Sequence, residues 1–269
     1  MRTLCHISAV VWLVAADGHA HGDLHQQITE ISKQIERKPD AALYLKRGEL
    51  EREHREFGKA LEDYRKAAEL DPGLDIIHFC RGSALAESGK NEAAREAFDL
   101  FITRVPSHGS AHLARARVLM ELKLPEAAAE DYQRAISLSR EPGPEPYLEL
   151  SQARQMAGHT DEAIRALEAG KKKLGAIPTL ESAAIAIETD AKRYDAALAR
   201  VDRLIEAAAR KESWQVLRAE ILAESGRRDE ARKAYQASLI SIETLPARIR
   251  ASEATRRLER KARAGLEAG

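Results

Sequence analysis

Residues 41–74 read AALYLKRGELEREHREFGKALEDYRKAAELDPGL, and the rest of the chain is organised on this stretch. It contains two helical runs, with small residues at fixed places, Gly48 in the first and Ala60 and Ala67 in the second. Pro72 closes the second run, because a proline cannot continue a helix. The stretch therefore reads as a pair of helices joined by a short charged turn.

Comparing the chain with itself returns the pattern at a period of 34. Numbering Ala41 as position 1, position 20 is Ala60, Ala94 and Ala128, then, after one inserted residue, Ala163, Ala197 and Ala231. Position 8 is Gly48, Gly82, Ala116, Ser151, Ile185 and Ala219, and position 24 is Tyr64, Phe98, Tyr132, Leu167, Val201 and Tyr235. Small residues at 8 and 20 are expected to face each other where two antiparallel helices approach closely. Glycine at position 15 (Gly89, Gly158, Gly226) permits the turn between them. The copies span 41–74, 75–108, 109–142, 144–177, 178–211 and 212–245. The fifth is degenerate, with Ile185 at position 8 and Ala209 where a proline would stand, and in the sixth Trp214 stands one place early.

This period and its small–small–aromatic–small–proline pattern resemble the tetratricopeptide repeat family, over about three quarters of the chain. The resemblance implies an all-α fold, an α-solenoid in which helix-turn-helix hairpins stack as a right-handed superhelix and the first helix of each hairpin lines a concave groove. It also assigns the groove. Position 5 supplies Leu45, Phe79, Leu113, Leu148 and Val216; position 9 supplies Glu49, Ser83, Arg117, Gln152 and Glu220; position 12 supplies Arg52, Met120 and Gln155, with Ala86 and Ala223. An apolar stripe flanked by mixed polar groups suits a peptide or protein segment with apolar anchors. A family subclass that captures chaperone C-termini has lysine at position 5 and asparagine at position 9. Leu45, Glu49, Phe79 and Ser83 depart from that pair, so this activity is not expected.

Outside the repeats the chain has three further segments. Residues 1–20 have Arg2, an apolar run over 4–16 and small residues after it, the layout of a signal peptide cleaved after Ala16 or Ala20. This predicts an exported bacterial protein, periplasmic or secreted, which touches a membrane only if the leader is retained. Residues 21–40 carry one apolar stripe (Leu24, Ile28, Ile31, Ile35) ended by Pro39, a half-repeat that covers the start of the array. Residues 246–269 hold seven arginines and lysines against three glutamates and read as one capping helix begun by Pro246, with a basic outer face.

Lysine plus arginine and aspartate plus glutamate are 43 each, so the basic excess of a nucleic-acid binder is missing. Nucleotide-binding glycine loops, H-E-x-x-H and G-x-S-x-G are all absent, and no catalytic residue or cofactor is nominated. Acid pairs such as Glu62-Asp63 and Glu130-Asp131 read as a solvated charged face. Cys80, inside a helical apolar pattern, reads as a small buried hydrophobe, and His78 and His112 at position 4 as packing residues. The main expectation is a non-catalytic scaffold that binds a protein or peptide. The alternative is a periplasmic copper- or nickel-handling protein: a mature terminus beginning at Asp17 or His21 would bring an amine together with His19 or His21, near His25.

Overall fold

The computed structural model describes residues 24–268, and every regular element among them is a helix. Residues 24–37 form α1. It is followed by α2 (Ala41–Glu53), α3 (Phe57–Leu70), α4 (Ile76–Glu87), α5 (Asn91–Arg104), α6 (Gly109–Glu121) and α7 (Pro125–Leu138). These helices make one compact unit ending at Pro142. A second unit begins at Gly143 and holds α8 (Glu145–Met156), α9 (Thr160–Leu174), α10 (Pro178–Asp190), α11 (Tyr194–Ala207), α12 (Glu212–Glu224), α13 (Arg228–Glu243), α14 (Ala247–Arg250) and α15 (Glu253–Ala268). Within each unit consecutive helices pair as hairpins, and each hairpin packs on the next, so each unit is a stretch of the expected α-solenoid. The leader expected over residues 1–20 lies outside the described residues.

The turns explain the period. The residue that reverses each of these six hairpins is left-handed: Arg55 (φ 62°), Gly89 (76°), Lys123 (61°), Gly158 (83°), Lys192 (57°) and Gly226 (81°). The next residue then donates its N–H five residues back, from Glu56 to Glu51, Lys90 to Leu85, Leu124 to Leu119, His159 to Arg154, Arg193 to Glu188 and Arg227 to Leu222, at 2.7–2.9 Å. That bond satisfies a carbonyl which the end of the first helix would otherwise leave open. Glycine marks only half of these turns in the sequence; Arg55, Lys123 and Lys192 adopt the same geometry with a Cβ, at about 1–2 kcal/mol each. Lys123→Gly is therefore expected to stabilise the chain by about 1 kcal/mol after the larger chain entropy of glycine is allowed for. A melting temperature raised by about 2–4 °C would show it, and a lowered one would contradict it.

Position 8 is small for a different reason from the one expected. A Cβ on Gly48 would lie 2.6 Å from the Tyr64 ring, and one on Gly82 would lie 2.7 Å from the Phe98 ring, whereas the Ala60 carbonyl oxygen is 3.3 Å from the former. The aromatic residue at position 24 thus lies across the first helix of its own hairpin and sets the size allowed at position 8. Tyr64 and Phe98 are fully buried there. The pairs along the chain trade volume: Gly48 with Tyr64, Gly82 with Phe98 and Ala116 with Tyr132, but Ser151 with Leu167 and Ile185 with Val201. Ile185 and Val201 are buried in one cluster, so the irregular fifth copy exchanges size between two positions and keeps its core.

The acid pairs are also not all solvated. Asp63 and Asp131 are buried, each gripped by two guanidinium nitrogens, of Arg47 (2.7 and 2.8 Å) and of Arg115 (2.6 and 2.7 Å). Arg47 also donates to Ser32 Oγ of α1 (2.9 Å), and Arg115 also reaches Asp99 of the preceding hairpin (2.7 Å). The fifth hairpin reverses these charges. Its buried Arg200, on α11, donates to Glu188 (2.8 and 3.1 Å) and Glu181 (3.2 Å) of α10 and to Glu168 of α9, while Lys171 holds the other oxygen of Glu181 (2.5 Å). Along the exposed edge of the second unit, Arg193 pairs with Asp161 and Arg227 with Asp195, each joining neighbouring hairpins.

Both ends differ from a plain repeat. On α1, Ile31 and Ile35 are buried, as the single stripe predicts. The tail departs from the expected single helix. Pro246 precedes a one-turn helix, α14, and the chain then bends at residues 251–252 before α15. Ser252 Oγ accepts the Thr255 N–H (3.3 Å), capping the second start where Pro246 could cap only the first. α15 packs on α12 and α13 through buried Ala262, with Leu258 and Leu266 beside it, and Gly265 lies directly on the Tyr235 ring.

Candidate functional site

Residues at positions 5, 9 and 12 fall on one face of each first helix because they are spaced four and three apart. The structure gives them unequal roles. On α2, Leu45 is half-buried against the core, and Glu49 accepts from Arg52 (3.0 Å) and from the Tyr64 hydroxyl. Arg52 also reaches Glu87 on α4 (2.5 Å), so Glu49 and Arg52 form a strut between neighbouring first helices. Burial raises the pKa of Glu49, but the hydrogen bonds from Arg52 and Tyr64 more than offset it and leave the carboxyl below its ordinary value. Cys80 faces the same carboxylate; burial, then Glu49, pushes its thiol up to about 12, which keeps it protonated and unreactive.

On α4, Phe79 turns inward. Its ring lies 5.8 Å from Phe98, 5.5 Å from Phe101 and 5.2 Å from His108, and Ser83 Oγ donates to the Phe79 carbonyl (3.1 Å). Phe79 therefore joins the packing of two hairpins, while Ser83 turns its hydroxyl back on its own helix. On α6, Leu113 and Met120 are half-buried and Arg117 is exposed. In the second unit Leu148 is half-buried and Gln152 and Gln155 are exposed, whereas Val216 is a core residue at 1% exposure and Glu220 is held by Lys261 of α15 (2.7 Å). The open part of the first-helix face is thus Leu113, Arg117 and Met120 in the first unit and Leu148, Gln152 and Gln155 in the second.

Two of the described histidines, His108 and His112, are held in place by hydrogen bonds. His108 Nδ1 caps α6 by accepting the Ala111 N–H (3.2 Å). His112 is buried between Asp131 (Nδ1, 3.0 Å) and the Pro106 carbonyl (Nε2, 3.0 Å). His25 stacks on His54 with ring centres 4.8 Å apart, and His19 and His21 lie outside the described residues. Among the described residues no group of three or more His, Cys, Asp or Glu could hold a metal ion. No helix among them is long and apolar enough to cross a membrane.

A family model described as "Tetratricopeptide repeat" matches residues 81–144 and 189–246. No curated protein sequence gives a significant match. Solved structures share the fold. A tetratricopeptide repeat protein from Parabacteroides merdae is 17% identical, covering 92% of this chain and 95% of its own, with a TM-score of 0.54. YrrB, described as a tetratricopeptide repeat protein with an unusual peptide-binding site, is 22% identical over 65% of this chain and 91% of its own, with a TM-score of 0.56. PilF of Pseudomonas aeruginosa is 19% identical over 77% and 95%, with a TM-score of 0.54.

Proposed function

We propose that this chain, which the tetratricopeptide repeat model matches over residues 81–144 and 189–246, acts as a non-catalytic scaffold, holding a peptide or protein segment against the first helices of its hairpins. The observation that carries this reading is the face of α6, where Leu113 and Met120 stand half-open beside exposed Arg117. Two apolar anchors flanked by a charge are what a segment with apolar side chains and a polar edge requires. A photo-crosslinker placed at Met120 is expected to trap the partner, and Met120→Glu to weaken its binding by about tenfold or more with the melting temperature unchanged. Undiminished binding by Met120→Glu would remove this face from consideration.

We place the mature chain outside the cytoplasm, in a bacterial periplasm or secreted. The support is Arg2, the apolar run that follows it and the small residues at Ala16 and Ala20. Terminal sequencing of the protein from its native host is expected to begin at Asp17 or His21; a terminus at Met1 would refute export by this route.

A further inference from the structure

The arginine at position 7 is neutralised in the first and third hairpins, whereas in the second it has no partner among the described residues. Arg47 and Arg115 each hold a buried aspartate at position 23 of the same hairpin, and Arg115 holds Asp99 of the hairpin before it as well. For Arg81 both partners have been replaced. Position 23 of its hairpin is Ala97, and the place that corresponds to Asp99 is Arg65. Arg81 is exposed.

This free guanidinium stands in an open trough of about 510 Å³ between α3 and α4, whose wall includes Leu61 and Ala68 from α3 and Leu85 from α4. The one carboxylate among the lining residues, Glu62, is already held by Arg65 (2.5 Å), which also pairs with Glu69. His78 lines the same trough; burial, then Arg104 and Arg81, pushes its pKa below the ordinary value, so at neutral pH it adds no second charge. Its Nδ1 is buried and has no hydrogen-bond partner. Residues 78, 81 and 85 are four and three apart and face away from Phe79, Ser83 and Ala86, so the trough opens on the opposite side of α4 from the first-helix face. Its wall on α3 runs from Gly58 to Ala68, about 15 Å of helix, the length of four or five residues of extended chain.

We infer that this trough is a second docking site, for a partner segment that presents an acidic side chain between aliphatic ones. The carboxylate comes to Arg81 from the α3 side, as Asp99 of the preceding hairpin comes to Arg115, and pairs with its guanidinium. The aliphatic neighbours cover Leu61, Ala68 and Leu85. The site is separate from the face around Met120, and the two stand or fall independently.

The test uses the full chain and a fluorescein-labelled, amidated hexapeptide of alternating leucine and glutamate, with the glutamine version as its control. The glutamate peptide is expected to bind the wild-type chain at least tenfold more tightly than the glutamine peptide. Arg81→Gln should abolish that preference. Ala97→Asp should abolish it too, while leaving Arg81 in place, because it rebuilds the internal pair found in the flanking hairpins; a melting temperature at or above wild type would show the pair had formed. Met120→Glu should leave the preference untouched. Equal binding of the two peptides, failure of both to bind, or an undiminished preference in Arg81→Gln would overturn the proposal.

Discussion

Arg200→Met is expected to cost about 3–5 kcal/mol at neutral pH, because it leaves buried carboxylates without the guanidinium that compensates them. Methionine fills much of the same volume, so the loss is electrostatic in origin and its pH dependence identifies it. In the native protein burial acts to raise the pKa of Glu181, but hydrogen bonds from Lys171 and Arg200 bring it below its ordinary value. A depressed carboxyl pKa contributes stability above the unfolded value, about 4.3, and that stability is lost as the pH falls through the lower folded value. Without Arg200 the balance at Glu181 shifts the other way: burial favours its protonated form, so the variant regains stability relative to wild type as the pH is lowered toward about 4.3, and wild type loses its own advantage below that value. Thermal melts between pH 3.5 and 8 should show the gap between variant and wild type widest at neutral pH and narrowing in acid. A gap of constant size would mean that Arg200 contributes through packing alone. Replacing Glu188 by leucine in the same variant should recover part of the loss at neutral pH, since exchanging a whole buried ion pair for apolar groups is often nearly neutral.

Gly82→Ile should cost about 2–3 kcal/mol, since even the first atom of the new side chain would lie 2.7 Å from the Phe98 ring. The fifth hairpin shows the remedy, because isoleucine at position 8 is native there opposite Val201. Combining Gly82→Ile with Phe98→Val should therefore give a chain more stable than the two single changes predict, by a coupling of about 1–3 kcal/mol. Phe98 also packs with Phe101 and Phe79, so Phe98→Val on its own will be destabilising, and the coupling is the decisive quantity. Strict additivity, measured by denaturant unfolding of all four proteins, would show that positions 8 and 24 do not set each other's size.

Much of the fold was legible because repetition makes one physical requirement visible six times. Ala60 and its equivalents, all buried, and the glycines of three turns carry the hairpin signal by themselves. The misreadings arise where a requirement is met by two residues jointly. Ile185 looks anomalous until Val201 is seen beneath it, and Arg55, Lys123 and Lys192 conceal left-handed turns because a bond pattern of the backbone imposes them. The candidate surface was less legible. Helical spacing places Phe79 and Glu49 on the same face as Leu113 and Met120, but spacing cannot show that the first two are consumed by an aromatic cluster and a strut. The trough beside Arg81 was recorded in the sequence by Ala97 and Arg65, which acquire meaning only once Asp63, Asp131 and Asp99 are known to be partners of arginine.

The paired charges along the edge of the second unit bear on its elasticity. Arg193 with Asp161 and Arg227 with Asp195 are tie-rods at the rim, and at least one side chain of each pair stands largely in solvent, where dissolved ions screen it within about 8 Å at physiological ionic strength. The buried cluster around Arg200 is shielded from that screening. Raising the salt should therefore slacken the rim before the interior, so that adjacent hairpins flex about their cores like leaves of a spring, and how far this half of the array bends to meet a ligand becomes a property of the medium as well as of the chain.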